Sequence, residues 1–178
     1  MIYDLIVIGA GPAGYLAAER AGAAGLNTLL AEKRYLGGVC LNEGCIPSKT
    51  LLYSAKIYDN AKYGQKYGVT AQGIALDHRA VVKRKDKVVN TLVSGIRAKL
   101  RKNRVTVVEG TAQIMGRTAE GYEIRIGKSG YLGKRLLIAS GSEPAIPPIP
   151  GLKEAIESGF VLTNREILDL KEVPSSLA

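Results

Sequence analysis

Both cysteines of this 178-residue chain lie in one short run, GGVCLNEGCIPSK, from Gly37 to Lys49. Four residues separate Cys40 from Cys45, and a disulfide that closes so short a loop would stabilise a fold by only about 2 kcal/mol. A chain of this length can build an apolar core without such a crosslink. The pair therefore indicates electron transfer by thiols, with two buried, unreactive cysteines as the alternative.

The spacing of the cysteines restricts the backbone around them. In a regular α-helix, residues five apart have Cα atoms roughly 8–9 Å apart, which exceeds the roughly 7 Å that a disulfide tolerates. If the two bond, Cys40 must lie in a loop or distorted turn, and Cys45 near the start of the next helix. Gly44 permits the bend, and Pro47 suits a first helical turn. A helix N-terminus stabilises a thiolate, so we expect Cys45 to be reactive.

A glycine-rich turn precedes the cysteine run. GAGPAG, from Gly9 to Gly14, follows the apolar run Tyr3–Ile8, which predicts a buried parallel strand. A helix follows the glycines, and a second strand over Thr28–Ala31 ends at Glu32. The sequence therefore predicts a βαβ unit, the setting in which such a turn binds a dinucleotide.

Each residue of this motif has a physical reason. Gly9 allows the tight turn, Gly11 lets the main chain approach a pyrophosphate, and Gly14 permits close helix–strand packing. The helix N-terminus offers free N–H groups to the phosphates. Glu32 lies 18 residues past Gly14, where an acid accepts hydrogen bonds from ribose hydroxyls and disfavours a 2′-phosphate. The motif alone leaves FAD and NAD open.

The rest of the chain predicts further helices and short strands. A helix is expected over Ser48–Tyr63, and Thr163 is expected to cap a short helix that runs through Leu170. The predicted strands are Val105–Glu109, Ala112–Met115, Tyr122–Ile126 and Leu136–Ala139, with Gly127–Gly133 taken as a turn. These pieces indicate a small antiparallel excursion before the last strand rejoins the sheet.

Simple residue counts indicate the class of protein and its cellular compartment. Hydrophobic residues make up 46% of the chain and glycine occurs 21 times, which is typical of a globular α/β protein. No apolar run approaches the roughly 20 residues that span a membrane, and no signal peptide is visible. We expect a cytoplasmic protein, because a cysteine pair in a reducing compartment is more often catalytic than structural.

The net charge of +9 is concentrated in one segment. Arg79–Arg104 holds ten Lys or Arg residues and one acid, Asp86, while the remainder has 15 of each sign. Its apolar residues recur at helical spacing (Val82, Val89, Val93, Ile96 and Leu100), and Asp77 is the expected N-cap. The segment predicts a solvated amphipathic helix or a docking surface for an acidic protein. Nucleic acid is disfavoured as a partner, since the segment has no aromatic residue for stacking.

The order and spacing of these motifs resemble the flavin-dependent (class I) pyridine nucleotide-disulfide oxidoreductases, and within them the dihydrolipoamide dehydrogenase branch. The resemblance rests on GAGPAG, Glu32, the cysteine run with its LN and IPSK, and IASGSEP from Ile138 to Pro144. It covers essentially the whole chain. It implies FAD in the first nucleotide site and an α/β, Rossmann-like FAD-binding domain with a parallel sheet, long helices and a small antiparallel β excursion.

The resemblance also implies roles for individual residues. Cys40 and Cys45 would form a redox-active disulfide, with Cys45 facing the flavin and Cys40 exchanging with a dithiol substrate. The cofactor-binding residues that it implies are Gly9, Gly11, Pro12, Ala13, Gly14, Glu32, Lys33, Arg34, Gly38, Val39, Cys40, Lys49, Ala112, Ser140, Gly141 and Ser142. Val39 stands where the family usually has Thr. No metal site is expected, since two cysteines and the distant His78 cannot supply four zinc ligands.

Members of this family continue, after a segment like KEVPSSLA, into an NAD site and a dimer-forming domain with a His–Glu acid/base pair. We therefore expect this chain to be the N-terminal part of a longer homodimeric enzyme. Residues 1–146 would begin the FAD-binding domain and 147–178 would lead toward the NAD-binding domain. That enzyme would oxidise dihydrolipoamide, on an acidic lipoyl carrier protein or 2-oxo acid dehydrogenase complex, and reduce NAD⁺.

Three other functions remain open. The chain could be a non-catalytic FAD-binding or assembly fragment, since it would lack the NAD site. It could belong to a related disulfide reductase, of the mercuric or glutathione reductase kind. A plain NAD-dependent dehydrogenase would leave the cysteine run unexplained. His78 is expected to be an ordinary surface residue.

Overall fold

Residues 2–178, which the computed structural model describes, form eight strands and six α-helices. The strands are β1 (Ile2–Tyr3), β2 (Leu5–Ile8), β3 (Thr28–Glu32), β4 (Thr106–Glu109), β5 (Ala112–Arg117), β6 (Tyr122–Ile126), β7 (Ser129–Gly133) and β8 (Leu136–Ile138). The helices are α1 (Pro12–Ala23), α2 (Gly38–Asn42), α3 (Cys45–Lys62), α4 (His78–Lys102), α5 (Leu152–Glu157) and α6 (Asn164–Ile167), and a 3₁₀ turn spans Gly64–Tyr67. The predicted α/β class is confirmed.

The chain divides into two compact units. The first contains the residues up to Asn42 together with Thr91–Ser142, and the second contains Glu43–Asn90 and Glu143–Ala178. The boundary therefore passes between Cys40 and Cys45 and through helix α4. The predicted division of the longer protein after residue 146 stays a prediction.

A four-stranded parallel sheet forms the centre of the first unit, in the order β4-β3-β2-β8. Its inner strands β2 and β3 are apolar, apart from Thr28 and Glu32 at the two ends of β3, because both faces of the sheet are covered. Val7 and Leu30 pack with α1 residue Ala18 and α4 residue Leu100 in one cluster. Ile6 and Leu29 pack on the other face. The βαβ unit and the return of β8 to this sheet are confirmed.

The predicted strand from Tyr3 to Ile8 is interrupted at Asp4. Before Asp4, β1 pairs in parallel with β7 of a second sheet, and after Asp4, β2 enters the parallel sheet. The Asp4 carboxylate accepts a hydrogen bond from the Asn27 N–H at 3.0 Å and pairs with Lys134 Nζ at 2.7 Å. These contacts fix the point at which the chain changes sheets.

The antiparallel excursion is confirmed, but it includes a strand within the range predicted as a turn. Strands β5, β6 and β7 form an antiparallel meander. The turn occupies only Gly127, at φ +60°, and Lys128, and β7 begins at Ser129. The glycines of this segment are typical of a turn, yet they belong to a strand. The ring centroid of its Tyr131 lies 6.3 Å from that of Tyr3. The prediction of a turn over Gly127–Gly133 is wrong for this reason.

Helix α4 is the long amphipathic helix that the charge pattern predicts. Asp77 is its N-cap, since its Oδ1 accepts a hydrogen bond from the Ala80 N–H at 3.0 Å. Val82 and Leu100 are buried, and Val93 and Ile96 pack on the core of the first unit. Within residues 2–178, we find no helix that combines the length and the apolar composition needed to span a membrane.

Candidate functional site

The glycine turn after β2 has no room for side chains at two of its positions. Gly9 has φ +97°, and a Cβ there would lie 2.2 Å from the carbonyl oxygen of Ala139. A Cβ at Gly14 would lie 1.8 Å from the carbonyl oxygen of Gly9. The first glycine thus lets the turn pass beside the end of β8, and the third lets α1 pack on the turn.

The start of α1 offers main-chain donors to a ligand. Gly11 is the N-cap, Pro12 occupies the first turn, and no side chain caps the helix. The N–H groups of Ala13 and Gly14, in the first turn, have no partner within the helix, whereas the Tyr15 N–H donates to the Gly11 carbonyl. A Cβ at Gly11 would meet nothing nearer than the Gly38 Cα at 4.0 Å, so the main chain is open on that side. This arrangement fits the pyrophosphate of a dinucleotide such as FAD.

Glu32 lies at the end of β3, where its carboxylate bonds to the glycine turn. Its Oε2 accepts a hydrogen bond from the Ala10 N–H at 2.6 Å, and its Oε1 accepts one from the Arg34 N–H at 2.8 Å. Lys33 and Arg34 follow as exposed residues. The acid that spacing predicts for a ribose is thus beside the predicted phosphate-binding turn.

The cysteine run begins directly against the same turn. The Gly37 N–H donates to the Ala10 carbonyl at 2.9 Å, and a Cβ on Gly38 would lie 2.5 Å from the Gly11 Cα. Val39 and Cys40 follow in α2, a five-residue helix. With both cysteines as thiols, Cys40 thus lies in a short helix, whereas a loop or distorted turn is expected if the two bond. The Asn42 amide stabilises this helical turn by donating to the Gly38 carbonyl at 2.8 Å.

Cys45 is the first residue of α3, as predicted for the second cysteine. Gly44 precedes it with φ −153° and ψ −113°, and so breaks the helix between the two cysteines. Pro47 is buried in the first turn, and Lys49 is exposed one turn after Cys45. Cys45 is exposed and Cys40 is half-buried, and both are thiols in the structure. The disulfide between them stays a prediction.

The remaining predicted site residues follow the ends of two strands in the first unit. Ser140, Gly141 and Ser142 form an exposed loop after β8. The Ser140 Cα would lie 3.1 Å from a Cβ on Gly9. Ala112 is the first residue of β5, two residues after Gly110, whose N–H donates to the Glu32 carbonyl at 2.8 Å.

The first unit thus brings together the strand ends that carry most of the predicted cofactor-binding residues. Cys45 and Lys49 lie in the second unit, and their roles stay predictions.

The cysteine run makes a long-range side-chain contact that the sequence pattern does not predict. Arg165 Nε donates to Glu43 Oε2 at 2.7 Å, and Glu43 lies between the cysteines. The cap signal at Thr163 locates the helix of Arg165, but a separation of 122 residues leaves no local signal for the pairing.

No group of three or more His, Cys, Asp or Glu residues is placed to hold a metal ion in the part of the chain that the structure describes. His78 is half-buried, with Nε2 2.9 Å from the Leu170 carbonyl oxygen.

Among known proteins, this chain is similar to several dihydrolipoyl dehydrogenases. The dihydrolipoyl dehydrogenase of Acholeplasma laidlawii is 42% identical over 98% of this chain and 51% of its own length. Those of Mycoplasma pneumoniae and Bacillus subtilis are 43% and 41% identical, over 38% and 37% of their lengths. The chain therefore spans about half the length of the first relative and less than two fifths of the other two.

Solved structures and a family model agree with this. The HOCl-induced flavoprotein disulfide reductase RclA of Escherichia coli matches with a TM-score of 0.73 and 27% identity, over 97% of this chain and 35% of that one. Its Cu(II) complex matches with a TM-score of 0.74 and 28% identity, over 96% and 34%. The model of the pyridine nucleotide-disulphide oxidoreductases matches residues 3–178. As its motifs predict, the chain belongs to this FAD-dependent family.

Proposed function

We propose that this chain is the FAD-binding and disulfide-bearing part of a longer dihydrolipoamide dehydrogenase that uses NAD⁺. The observation that carries the proposal is the packing of Gly38 on Gly11. Through it, the helix of Cys40 begins on the main chain that would bind the pyrophosphate. A redox thiol is thereby attached to a dinucleotide-binding turn, which a plain dehydrogenase does not require.

The first unit would hold the cofactor. The open main chain at Gly11 and the free N–H groups of the first turn of α1 would bind the pyrophosphate, and Glu32 would bind the adenosine ribose. The loop Ser140–Ser142 and Ala112 are the proposed contacts to the rest of the dinucleotide. When bound, FAD supplies a two-electron acceptor for the cysteine pair.

The cysteines would carry out a thiol–disulfide exchange. One thiolate of dihydrolipoamide attacks the Cys40 sulfur of the Cys40–Cys45 disulfide, and Cys45 leaves as a thiolate. The second substrate thiolate then displaces Cys40 from the mixed disulfide. The substrate leaves as a cyclic disulfide, and its two electrons remain on the cysteine pair. With FAD held by the glycine turn and Glu32, the overall reaction would reduce NAD⁺ to NADH and release one proton.

The position of Cys45 supports this division of work. The free N–H groups at the start of the 18-residue helix α3 would offer hydrogen bonds to a sulfur on its first residue. Cys45 is thus placed to be the leaving sulfur of the first step.

The proposed partner is an acidic protein that carries the lipoyl group. Within the basic segment, Arg79 bonds to Glu172, and buried Lys85 contacts Asp86 and Asp169. Lys83 and Lys87 are exposed on α4. We propose these two as the docking positions. We also propose that the full-length protein is a homodimer. A cytoplasmic location is proposed because the low cysteine content suits a reducing compartment.

The test is an assay of the full-length protein with dihydrolipoamide and NAD⁺. We expect NADH formation, loss of turnover in Cys45→Ser and in Cys40→Ser, and retention of FAD in both variants. Normal turnover in Cys45→Ser would refute the proposal. Turnover of glutathione or mercuric ion in place of dihydrolipoamide would assign the protein to a different disulfide reductase.

A further inference from the structure

The turn between the two cysteines is held by two side chains from the distant helix α6. The Asn164 Nδ2 donates to the main-chain carbonyl of Glu43 at 2.8 Å. The Arg165 Nε donates to the Glu43 carboxylate at 2.7 Å. All three residues belong to the second unit. One residue of the turn is therefore held through both its main chain and its side chain.

The Glu43–Arg165 pair is shielded from solvent, unlike an ordinary surface ion pair. Glu43 is only 9% exposed, and the Arg165 side chain is 25% exposed. Burial opposes the charge on Arg165, but the hydrogen bond and attraction from Glu43 outweigh it and raise the pKa of the guanidinium. Glu143 lies 3.6 Å from the same guanidinium. Breaking such a pair leaves a poorly solvated charge behind, so the contact restrains the turn.

Helix α6 is short, but its start is fixed. The Thr163 Oγ1 accepts a hydrogen bond from the Arg165 N–H at 3.3 Å, and the Glu166 carboxylate accepts one from the Thr163 N–H at 2.7 Å. This reciprocal capping box orients the first turn of the helix. Asn164 and Arg165 are thus presented to Glu43 from a defined backbone.

The restrained residue lies where the backbone must depart from a helix. Gly44, directly after Glu43, has φ −153° and ψ −113° and separates α2 from α3. If the helix continued through this point, the Cα atoms of the cysteines would be roughly 8–9 Å apart, too far for a disulfide. The contacts to Glu43 therefore favour the broken backbone that a disulfide needs.

We propose that Asn164 and Arg165 are positioning residues for the cysteine pair, which hold the turn at Glu43 and thereby stabilise the Cys40–Cys45 disulfide relative to the two thiols. The inference rests on the proposed function, because it requires that the pair be redox-active. Both act through Glu43, Asn164 on its main-chain carbonyl and Arg165 on its carboxylate.

The test measures the disulfide equilibrium in the full-length, FAD-loaded protein. Wild type, Arg165→Gln and Asn164→Ala are equilibrated anaerobically with glutathione buffers, quenched with acid and alkylated, and the labelled thiols are counted by mass. We expect the equilibrium constant for disulfide formation to fall about tenfold in each variant, equivalent to about 30 mV for a two-electron couple. Arg165→Lys keeps the positive charge and can still donate to the Glu43 carboxylate. Its equilibrium constant for disulfide formation should therefore fall less than that of Arg165→Gln.

The matched control is Arg79→Gln, which removes an exposed ion pair to Glu172 in the same unit. It should leave the equilibrium constant unchanged. If Arg165→Gln does not fold, Asn164→Ala alone decides, because it removes only a neutral side chain. Equilibrium constants within twofold of wild type in the folded variants overturn the inference and leave the proposed function intact. A wild-type protein without a reversible cysteine pair overturns both.

Discussion

Gly38 packs on Gly11 so closely that a Cβ at Gly38 would lie 2.5 Å from the Gly11 Cα. Gly38 also has φ +60°, a conformation that residues with side chains rarely adopt. The contact joins the start of the cysteine run to the predicted phosphate-binding turn through main chain alone. The start of α2 is therefore packed directly against that turn.

Replacement of Gly38 by alanine tests this contact. Gly38→Ala should lower the free energy of unfolding by about 1–3 kcal/mol, because of the strained backbone, and weaken FAD binding at least about tenfold by displacing the turn. Urea unfolding and titration of flavin fluorescence measure the two effects.

The control for Gly38→Ala is the same substitution in an open position. Gly95 lies inside helix α4, where a Cβ would meet nothing within 4 Å. Gly95→Ala should raise the free energy of unfolding by about 0.5–1 kcal/mol and leave FAD binding unchanged. Equal FAD affinity in Gly38→Ala and wild type would contradict the role given to the contact.

Glu32 gives a second prediction, because both oxygens of its carboxylate accept main-chain hydrogen bonds, from Ala10 and Arg34. In Glu32→Gln, the side-chain NH₂ group must face one of these N–H donors. Because an NH₂ group cannot accept a hydrogen bond, that N–H loses its partner. We expect a loss of about 1–3 kcal/mol in the free energy of unfolding and weaker FAD binding. Urea unfolding and flavin titration, with Glu120→Gln at an exposed turn as control, measure both. An unchanged stability would show that water replaces the lost acceptor.

Local patterns in the sequence were sufficient to predict the centre of the first unit. Runs such as LIVI and TLLAE predict buried strands, and Gly9, Gly11 and Gly14 predict a turn that approaches a ligand. Together they predict a βαβ unit. The charge and apolar spacing of α4 likewise predicted a helix, and Asp77 its cap. In each case the signal lies within one element.

The errors arose where a distant partner decides the local structure. Asp4 interrupts a strand because Lys134 and Asn27 bind its carboxylate. The glycines of β7 form a strand because β6 and β1 pair with it. Arg165 meets Glu43 across 122 residues. Single-sequence patterns carry no record of such pairings, so these features could only be seen in the structure.

Asp4 predicts how stability responds to acid. The hydrogen bond from Lys134, with that from the Asn27 N–H, lowers the pKa of the Asp4 carboxyl below its usual 3.8. The stabilisation is therefore present above the unfolded pKa and is lost as the pH falls through the folded pKa. Asp4→Asn should be less stable than wild type at neutral pH and should lose less stability on acidification.

Urea unfolding of both proteins from about pH 6 to about pH 2.5 measures this difference. Glu166, whose pKa is also lowered, by its hydrogen bonds from Thr163, titrates in both proteins and cancels in the comparison. Parallel pH profiles for the two proteins would show that the Asp4 contacts contribute nothing to stability.

The proposed docking surface on α4 gives the last prediction. Lys83 and Lys87 are exposed, whereas Arg84 is 5.7 Å from the Tyr53 ring and is left unchanged to preserve that packing. In the full-length protein, the double change Lys83→Glu and Lys87→Glu should lower kcat/KM for an acidic lipoylated carrier about tenfold at low salt, and less at high salt. Turnover of free dihydrolipoamide should not change, because its encounter does not depend on this surface.

The pair Lys56→Glu and Lys128→Glu changes the net charge equally at exposed positions outside α4, and so separates local docking from total charge. Equal losses with carrier and free substrate, or equal losses in the two double variants, would refute a docking surface at Lys83 and Lys87.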